Sequence, residues 1–198
     1  MSKDSLRQPL IVHHRSGGPV ITKKMDSIAQ LFAQAGHDAY YGEPVTQLEH
    51  ALQAAQLAEQ AGADRDTVLA ALLHDVGHLL PVEAAKGYMD GYGTVDHERL
   101  GADFLRQRGF SEKVTQLIEN HVNAKRYLVF KNPDYFARLS DASLRTLDFQ
   151  GGPMTADEAA RFEAHPYFAG ILQLRRWDEQ AKLPGLPTPD LTYYLRLL

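Results

Sequence analysis

The stretch Leu72-Leu73-His74-Asp75-Val76-Gly77-His78 decides how this chain is interpreted, because it places a histidine and an aspartate at the end of a strongly apolar helix. Burying both side chains without partners would cost on the order of several kcal/mol. A bound metal ion removes that cost, since the imidazole nitrogen and the carboxylate oxygen then become ligands. The adjacent pair therefore predicts a metal site at this helix end, where the carboxylate can also reach a second metal ion.

Other potential ligands lie at helical positions elsewhere in the chain. They are His50, His97, His121 and Asp178, and each falls on a different predicted helix. Helical bundles build metal sites in this way, with inward-facing ligands from facing helices. We expect these side chains to meet His74 and Asp75 around a dinuclear centre in the bundle interior.

Helical periodicity dominates the sequence, and no run alternates polar and apolar residues as a half-buried strand would. The predicted helices are Lys23–Ala35, Thr46–Ala61, a helix capped by Asp66 that runs to Leu73, Asp96–Arg108, a helix capped by Ser111 that reaches at least His121, one started by a Thr155–Glu158 capping box, one opened by Pro166 that runs to about Lys182, and Leu191–Leu198. We expect a single all-α domain over residues 1–198. Residues 1–22 form an N-terminal extension in this prediction, and residues 183–198 form a tail that docks on the bundle.

Composition excludes several classes of protein. The net charge is 21 − 25 = −4 over 198 residues and no basic patch stands out, which argues against a nucleic-acid partner. The apolar stretches are too short to span a bilayer, and the N-terminus lacks the apolar core of a signal peptide. Because there is no cysteine, any metal must be held by imidazole and carboxylate. We expect a cytoplasmic protein with a small-molecule partner, and the sequence leaves its oligomeric state open.

The ligand order H…HD…H…H…D resembles that of the HD-domain superfamily, whose members bind one or two metal ions inside a helical bundle. Further matching stretches are Tyr40-Tyr41-Gly42-Glu43, Gln47-Leu48-Glu49-His50, His121-Val122-Asn123-Ala124-Lys125-Arg126-Tyr127-Leu128, Gln150-Gly151-Gly152-Pro153 and Leu174-Arg175-Arg176-Trp177-Asp178. Together they resemble the mixed-valent di-iron oxygenases that cleave the carbon–phosphorus bond of 1-hydroxyphosphonates. Myo-inositol oxygenase is a more distant member of the same branch.

This resemblance implies a cofactor of two iron ions, Fe(II)/Fe(III), with dioxygen as co-substrate. It implies that His50, His74, Asp75 and Asp178 hold one iron. His97 and His121 would hold the other, with the Asp75 carboxylate bridging the two. Neutral imidazoles and two carboxylates would leave a charge of about +3 on such a centre, which favours an anionic substrate such as a phosphonate.

The resemblance also implies residues that contact the phosphonate. His78 and Lys125 each follow a predicted ligand by four residues, which on a continuous helix places them on the same face as that ligand. Ser143 and Thr146 resemble hydroxyl donors of the same pocket. A solvated helix lysine is the alternative for Lys125, and a charge partner of the helix end is the alternative for His78. Gln150 is explained by the turn at Gly151-Gly152-Pro153.

Tyr40 and Glu43 resemble a mobile loop that covers the site. The resemblance implies that Tyr40 occupies an iron position until substrate arrives and that Glu43 helps to recognise the substrate's ammonium end. The alternative is an ordinary exposed loop before a helix opened by Pro44. No catalytic residue beyond these metal ligands and substrate-binding residues is predicted.

The cationic end of the substrate is a primary ammonium or a trimethylammonium group in the branch that this chain resembles. The products would be phosphate with glycine in the first case and phosphate with glycine betaine in the second. Aromatic faces recognise quaternary ammonium groups, and Tyr40, Tyr41, Tyr88 and Tyr92 lie near the predicted mouth of the site. This aromatic surface favours the trimethylammonium substrate.

Two other functions fit the same ligands. An HD-type phosphohydrolase would use a metal-bound hydroxide against a nucleotide or a phosphate ester. A non-enzymatic HD module would bind a small anion and signal.

The remaining histidines are assigned surface or local structural roles. They are His13, His14, His37 and His165.

Overall fold

A computed structural model describes residues 19–81 and 87–198, and within these ranges the chain is helical. The helices are α1 (Pro19–Ala35), α2 (Gln47–Gln60), α3 (Arg65–Leu73), a 3-10 helix (Val76–Leu79), α4 (His97–Gln107), α5 (Glu112–Glu119), α6 (His121–Lys131), α7 (Pro133–Phe136), α8 (Asp141–Phe149), α9 (Ala156–Glu163), α10 (Phe168–Gln180) and α11 (Leu191–Leu195). The described residues form no β-strand, only isolated bridges between Ala39 and Thr46 and between Tyr88 and Thr94. The all-α prediction is confirmed. Residues 1–18 of the predicted extension, including His13 and His14, lie outside the described residues.

Helix α3 lies at the centre of the bundle. It packs against α2, α5 and α10, and every residue from Thr67 to Leu73 is buried. The core around it includes Ile28, Phe32, Leu105, Leu117, Ile118, Ile171 and Leu174. Because apolar burial is the main driving force of folding, this arrangement fixes the end of α3, and with it His74 and Asp75, in the bundle interior. Among the described residues, no helix has both the length and the apolar character that a bilayer crossing requires.

Side-chain caps set several helix starts as the sequence predicts. Thr155 and Glu158 form a capping box at α9, and the Ser111 hydroxyl accepts a hydrogen bond from the first turn of α5. These caps satisfy amide groups that have no partner inside the helix.

The cap of α3 was assigned to the wrong aspartate. Asp64 is the N-cap residue, and its carboxylate accepts a hydrogen bond from the Thr67 amide. Asp66 lies inside the first turn and accepts a hydrogen bond of 2.6 Å from Ser111 Oγ. Both aspartates favour a helix start, but only the one just before Arg65 has the extended backbone that a cap requires.

The helix predicted from Ser111 through His121 is two helices. Helix α5 ends at Glu119, and Asn120, with φ −107° and ψ 2°, separates it from α6. The Asn120 side chain donates to the Gln116 carbonyl at 3.0 Å, a local bond that competes with regular helix bonding. His121 therefore stands at the first position of α6 and not in the last turn of one long helix.

Three other helices differ from the prediction by a few residues at their bounds. Helix α1 begins at Pro19, four residues earlier than predicted, in agreement with the preference of proline for the first helical position. Helix α10 begins at Phe168, after Tyr167 at its N-cap, and ends at Gln180. Helix α11 ends at Leu195, three residues before the predicted Leu198. None of these differences moves a predicted ligand off its helix.

The C-terminal residues pack on the bundle. Tyr194 and Leu195 of α11 belong to the buried core. The Arg65 guanidinium at the start of α3 donates to the Leu198 carbonyl at 2.8 Å. The last helix is therefore held by apolar contacts and by a hydrogen bond to the central helix.

Candidate metal centre

The predicted metal ligands meet in the interior of the bundle. They come from α2 (His50), the end of α3 (His74 and Asp75), the first position of α4 (His97), the first position of α6 (His121) and α10 (Asp178). All are buried. Several helices thus direct titratable side chains to one place from which water is largely excluded.

One half of this cluster, called the first ligand group, consists of His50, His74 and Asp178. The Nε2 atoms of His50 and His74 lie 3.0 Å apart, and Asp178 Oδ1 lies 3.4 Å and 3.8 Å from them. Asp75 Oδ2 also faces this group, 3.5 Å from His50 Nε2 and 3.4 Å from His74 Nε2. Two ligands bound at right angles to a metal, each at about 2.1 Å, are separated by about 3 Å, so these spacings suit one metal ion.

The outer ring nitrogens of these histidines fix their tautomers. His50 Nδ1 lies 2.8 Å from the Ala181 carbonyl oxygen, and His74 Nδ1 lies 2.9 Å from the Ala71 carbonyl oxygen. Because a carbonyl can only accept, each Nδ1 carries the proton, and each Nε2 of the neutral ring presents a lone pair. Two lone pairs 3.0 Å apart repel each other unless a proton or a metal ion lies between them. This donor set fits a metal ion, with the outer hydrogen bonds orienting the ligands.

The second ligand group consists of His97 and His121. Their Nε2 atoms lie 3.2 Å apart, and Asp75 Oδ1 lies 3.3 Å from His97 Nε2 and 3.5 Å from His121 Nε2. His121 Nδ1 donates to the Ile118 carbonyl at 2.7 Å, so its Nε2 also points inward as an acceptor. The two oxygens of Asp75 therefore face the two ligand groups, which is the geometry of a bridging carboxylate.

The charges of the cluster favour the binding of a cation between the imidazoles. Burial alone would raise the pKa of Asp75, but His74 and His97 hold it well below its usual value. Burial alone would also raise the pKa of Asp178, and Arg175 outweighs that effect. Burial opposes protonation of His74, yet the Asp75 and Asp178 carboxylates raise its pKa to about 9. Both carboxyls are ionised at neutral pH and attract positive charge to the space between the imidazoles.

The local backbone after α3 differs from a continued helix. Residues Val76–Leu79 form a 3-10 helix, so His78 is not on the α-helical face of His74 that the sequence spacing predicted. His78 instead stacks on the His97 ring, with centroids 3.9 Å apart, and its Nδ1 accepts a hydrogen bond of 3.1 Å from the Thr94 amide. Burial and the neighbouring His97 hold the pKa of His78 well below its usual value. The neutral ring then has its N–H at Nε2.

Gly77 lets this 3-10 helix approach α4 very closely. A Cβ atom at Gly77 would lie 1.9 Å from the His97 carbonyl oxygen and 3.0 Å from the Gly101 amide nitrogen. No side chain fits there. The glycine between Asp75 and His78 is therefore needed to bring His97 beside the Asp75 carboxylate.

Arg175 positions Asp178, and sequence reasoning did not assign it a role. Its Nη1 donates to Asp178 Oδ2, and its Nε donates to Glu179 at 2.9 Å and to the Tyr135 hydroxyl at 3.1 Å. One oxygen of Asp178 is thus held by a guanidinium while the other faces the imidazoles. The signal in the sequence was an arginine one helical turn before an aspartate on a buried helix face.

Lys125 is a buried lysine beside the cluster, one turn after His121 on the same helix. Its Nζ donates to Thr146 Oγ1 at 2.8 Å and to the Ser143 carbonyl at 3.3 Å. Burial lowers its pKa to about 7, and Arg175 adds to this effect. The hydrogen-bond partners of the Ser143 hydroxyl are Ser140 Oγ at 3.2 Å and Arg175 Nη2 at 3.5 Å. The solvated-lysine alternative is therefore wrong for Lys125.

Tyr40 and Glu43 lie over the cluster. The Tyr40 ring stacks on His50 with centroids 3.9 Å apart, and burial together with the Asp75 and Asp178 carboxylates raises its pKa well above the usual value. Glu43 Oε1 forms an ion pair of 2.7 Å with Lys182 Nζ, a partner that sequence reasoning did not identify. The predicted loop therefore faces the histidine–aspartate cluster.

The other tyrosines near the mouth are differently placed. Tyr41 packs edge-on against His78, with centroids 5.0 Å apart, and Tyr92 lies 5.7 Å below the Arg145 guanidinium. Tyr88 is 52 % exposed and does not line the cavity. Tyr40, Tyr41 and Tyr92 line the cavity, so three of the four tyrosines expected near a quaternary ammonium group lie at the site.

A small polar cavity of about 60 Å³ opens beside the second ligand group. Its charged and polar lining includes Tyr40, Glu43, Asp75, His97, His121, Lys125, Ser143, Thr146, Gln150, Arg175, Asp178 and Lys182. His78 is not part of this lining, although it contacts His97. Gln150 Oε1 is buried and has no hydrogen-bond partner among the described residues, so the turn explains its neighbours but not Gln150 itself. The cavity has room for about four water molecules or a group of that size.

His37 and His165 lie away from the cluster. His37 is exposed. His165 lies 3.2 Å from the Gln116 side chain and accepts a hydrogen bond from the Tyr167 amide at 3.1 Å. Both positions agree with the surface or local structural roles expected from the sequence.

Comparison with known proteins agrees with this geometry. The family model described as "HD domain" matches residues 48–148. The chain is 42% identical to an uncharacterized protein of Acanthamoeba polyphaga mimivirus, over 90% of this chain and 81% of the relative. It is 42% identical to the [1-hydroxy-2-(trimethylamino)ethyl]phosphonate dioxygenase (glycine-betaine-forming) of Leisingera caerulea, over 86% of each chain. It is 45% identical to the hydroxymethylphosphonate dioxygenase of Gimesia maris, over 87% of this chain and 85% of the relative.

Proposed function

Because the chain belongs to the HD-domain family, we propose that its histidine–aspartate cluster is a di-iron centre and that the protein is an oxygenase that cleaves the carbon–phosphorus bond of a 1-hydroxyphosphonate. The observation that carries this proposal is the Asp75 carboxylate, whose two oxygens face two separate imidazole groups. The similarity to two phosphonate dioxygenases supplies the substrate class. The products are phosphate and the carboxylic acid formed from the hydroxyl-bearing carbon.

In this proposal His50, His74, Asp75 and Asp178 hold one iron, and His97 and His121 hold the other. Imidazole-rich sites with few carboxylates suit iron better than magnesium or calcium. When bound, the Fe(II)/Fe(III) pair supplies Lewis-acid and redox chemistry with dioxygen. The outer hydrogen bonds from His50, His74 and His121 to backbone carbonyls keep the ligands oriented.

The side chains beside the centre bind and orient the substrate. Lys125 donates to the phosphonate oxygens, and Thr146 holds the Lys125 ammonium in place. His78 lies outside the cavity lining and supports the His97 ring, on which it stacks. A phosphonate dianion next to Lys125 also restores the charge of an amine whose pKa is only about 7 in the protein alone. Tyr40 lies against His50 and must move for the substrate to reach the first ligand group. Holding the substrate's C–H bond in one orientation is the main contribution of these side chains.

The function is tested with iron-loaded protein and a set of 1-hydroxyphosphonates. We expect dioxygen consumption and phosphate release in a 1:1 ratio, and no phosphate release without oxygen. Phosphate release from a nucleotide or another phosphate ester under anaerobic conditions would instead identify a phosphohydrolase. Tight anion binding by iron-free protein, without turnover of either kind, would identify a binding module.

Replacing Lys125 with alanine should weaken phosphonate binding without removing iron. The loss of one charge-assisted hydrogen bond is expected to raise KM by about 10- to 100-fold. Steady-state kinetics and metal analysis check this prediction. Lys131→Ala is the matched control, because Lys131 lies on the same helix but is exposed and pairs with Glu163. Loss of iron from the Lys125 variant would contradict its assignment to the substrate.

A further inference from the structure

The ion pair between Lys182 and Glu43 lies at the edge of the cavity, next to Tyr40. Nζ and Oε1 are 2.7 Å apart, and the two side chains are only 16% and 11% exposed. Both residues line the cavity. A partly buried pair of this kind is screened by solvent much less than an exposed one.

The backbone on both sides holds this pair in place. Lys182 directly follows Ala181, whose carbonyl accepts the hydrogen bond from His50 Nδ1. Glu43 closes a turn, because its amide donates to the Tyr40 carbonyl at 2.9 Å. The backbone positions of Lys182 and Glu43 are therefore fixed by segments that also contact His50 and Tyr40.

Lys182 already uses the groups that would recognise an ammonium substrate. Its Nζ lies 2.7 Å from the Glu43 carboxylate, 3.5 Å from Ser140 Oγ and 5.9 Å from the centroid of the Tyr40 ring. A carboxylate and an aromatic face are the usual partners of such a cation. The Lys182 ammonium therefore occupies the position at which a cationic group of the substrate would contact Glu43 and Tyr40.

The other charges of the cavity leave no substitute for Glu43. Among the described lining residues the remaining carboxylates are Asp75, which faces the imidazoles, and Asp178, which is paired with Arg175. The cationic side chains Lys125, Arg175 and Lys182 line the same space. A positively charged substrate end would meet cations and a carboxylate that is already neutralised.

From these observations we infer that Lys182 selects against substrates with a cationic end, so that this enzyme acts on a short 1-hydroxyphosphonate with an uncharged end, of which hydroxymethylphosphonate is the simplest. This inference rests on the proposed oxygenase function. For hydroxymethylphosphonate the reaction balances with one dioxygen: the carbon–phosphorus bond breaks, the carbon is oxidised to formate, phosphate leaves, and dioxygen is fully reduced. It departs from the trimethylammonium substrate that the tyrosine content of the sequence favours.

The test compares three substrates with iron-loaded wild-type protein and with Lys182→Met. The substrates are hydroxymethylphosphonate, 1-hydroxy-2-aminoethylphosphonate and 1-hydroxy-2-(trimethylammonio)ethylphosphonate. Both kcat/KM and the anaerobic Kd by calorimetry are measured for each. Wild-type protein should favour hydroxymethylphosphonate by about tenfold or more over either cation, because a like charge at close range opposes binding.

Methionine at position 182 removes the charge and keeps the length, so it frees Glu43. Relative to hydroxymethylphosphonate, the aminoethyl substrate should bind the Lys182→Met variant about tenfold more tightly than it binds the wild type. Its kcat/KM should rise by a similar factor. Lys182→Arg keeps the charge and should keep the wild-type preference. Glu43→Gln provides a second variant and should weaken binding of both cationic substrates further.

The outcomes separate the two proposals. A wild-type preference for either cationic substrate, or an unchanged preference in Lys182→Met, would overturn the role of Lys182 and leave the oxygenase intact. If no substrate supports oxygen consumption, the oxygenase proposal fails, and the anaerobic Kd values still decide whether Lys182 discriminates by charge. Failure of all three phosphonates to bind would overturn both.

Discussion

Replacing Asp75 with alanine is expected to abolish binding of both metal ions of the proposed di-iron centre. The two oxygens of this carboxylate lie 3.3–3.5 Å from imidazole nitrogens of both ligand groups, so one substitution removes a ligand from each. Removal also takes away a negative charge that offsets two cations in a buried site, where charges interact strongly. Iron content should fall from two ions per chain to nearly none, and dioxygen consumption should stop. Metal analysis of protein expressed with iron is the direct measurement.

Two further variants make this result specific. Asp178→Ala removes a carboxylate from the first ligand group only, so it should deplete one iron while the second group retains its ligands. Asp148→Ala replaces an exposed aspartate on α8 and should leave the iron content unchanged. An Asp75→Ala protein that keeps both iron ions and loses only activity would refute the bridging role.

Replacing Gly77 with alanine is expected to be the most damaging glycine-to-alanine substitution among the described residues. The added Cβ would lie 1.9 Å from the His97 carbonyl oxygen, a contact that only movement of the backbone at the start of α4 can relieve. Overpacking against a rigid neighbour costs about 3 kcal/mol, which corresponds to a fall in Tm of roughly 10 °C for a domain of this size. Because His97 moves with this backbone, the second metal position should also lose affinity.

Thermal unfolding and metal analysis of the same preparation check both effects. Gly87→Ala is a suitable control, since a Cβ there would meet only a Val95 methyl group at 3.9 Å. It should leave both Tm and iron content close to those of the wild type. A Gly77→Ala protein with unchanged Tm and two iron ions would show that the close contact has no energetic importance.

The sequence alone predicted the elements that depend on local patterns. The apolar helix before His74, the capping box at Thr155 and the cap at Ser111 follow from neighbouring residues and were found where expected. These local features need no knowledge of how the helices pack. The convergence of the six ligands was expected from their order along the chain, which resembles that of the HD-domain family.

The features that the sequence did not predict depend on tertiary contacts. The 3-10 helix after Asp75 forms because Gly77 packs against α4, and the helix break at Asn120 requires a choice between competing hydrogen bonds. The Lys182–Glu43 pair joins residues 139 positions apart, which no local pattern can indicate. The sequence places Arg175 one helical turn before Asp178, but only the packing shows that the guanidinium is buried.

The order of the ligands along the chain has a consequence for biosynthesis. The second ligand group and the Asp75 carboxylate are complete once His121 has been translated, whereas the first group waits for Asp178 and for Ala181, whose carbonyl orients His50. Nascent domains form from the N-terminal side, and α10 is the last ligand-bearing helix to be translated. The second ligand group can therefore assemble before the first.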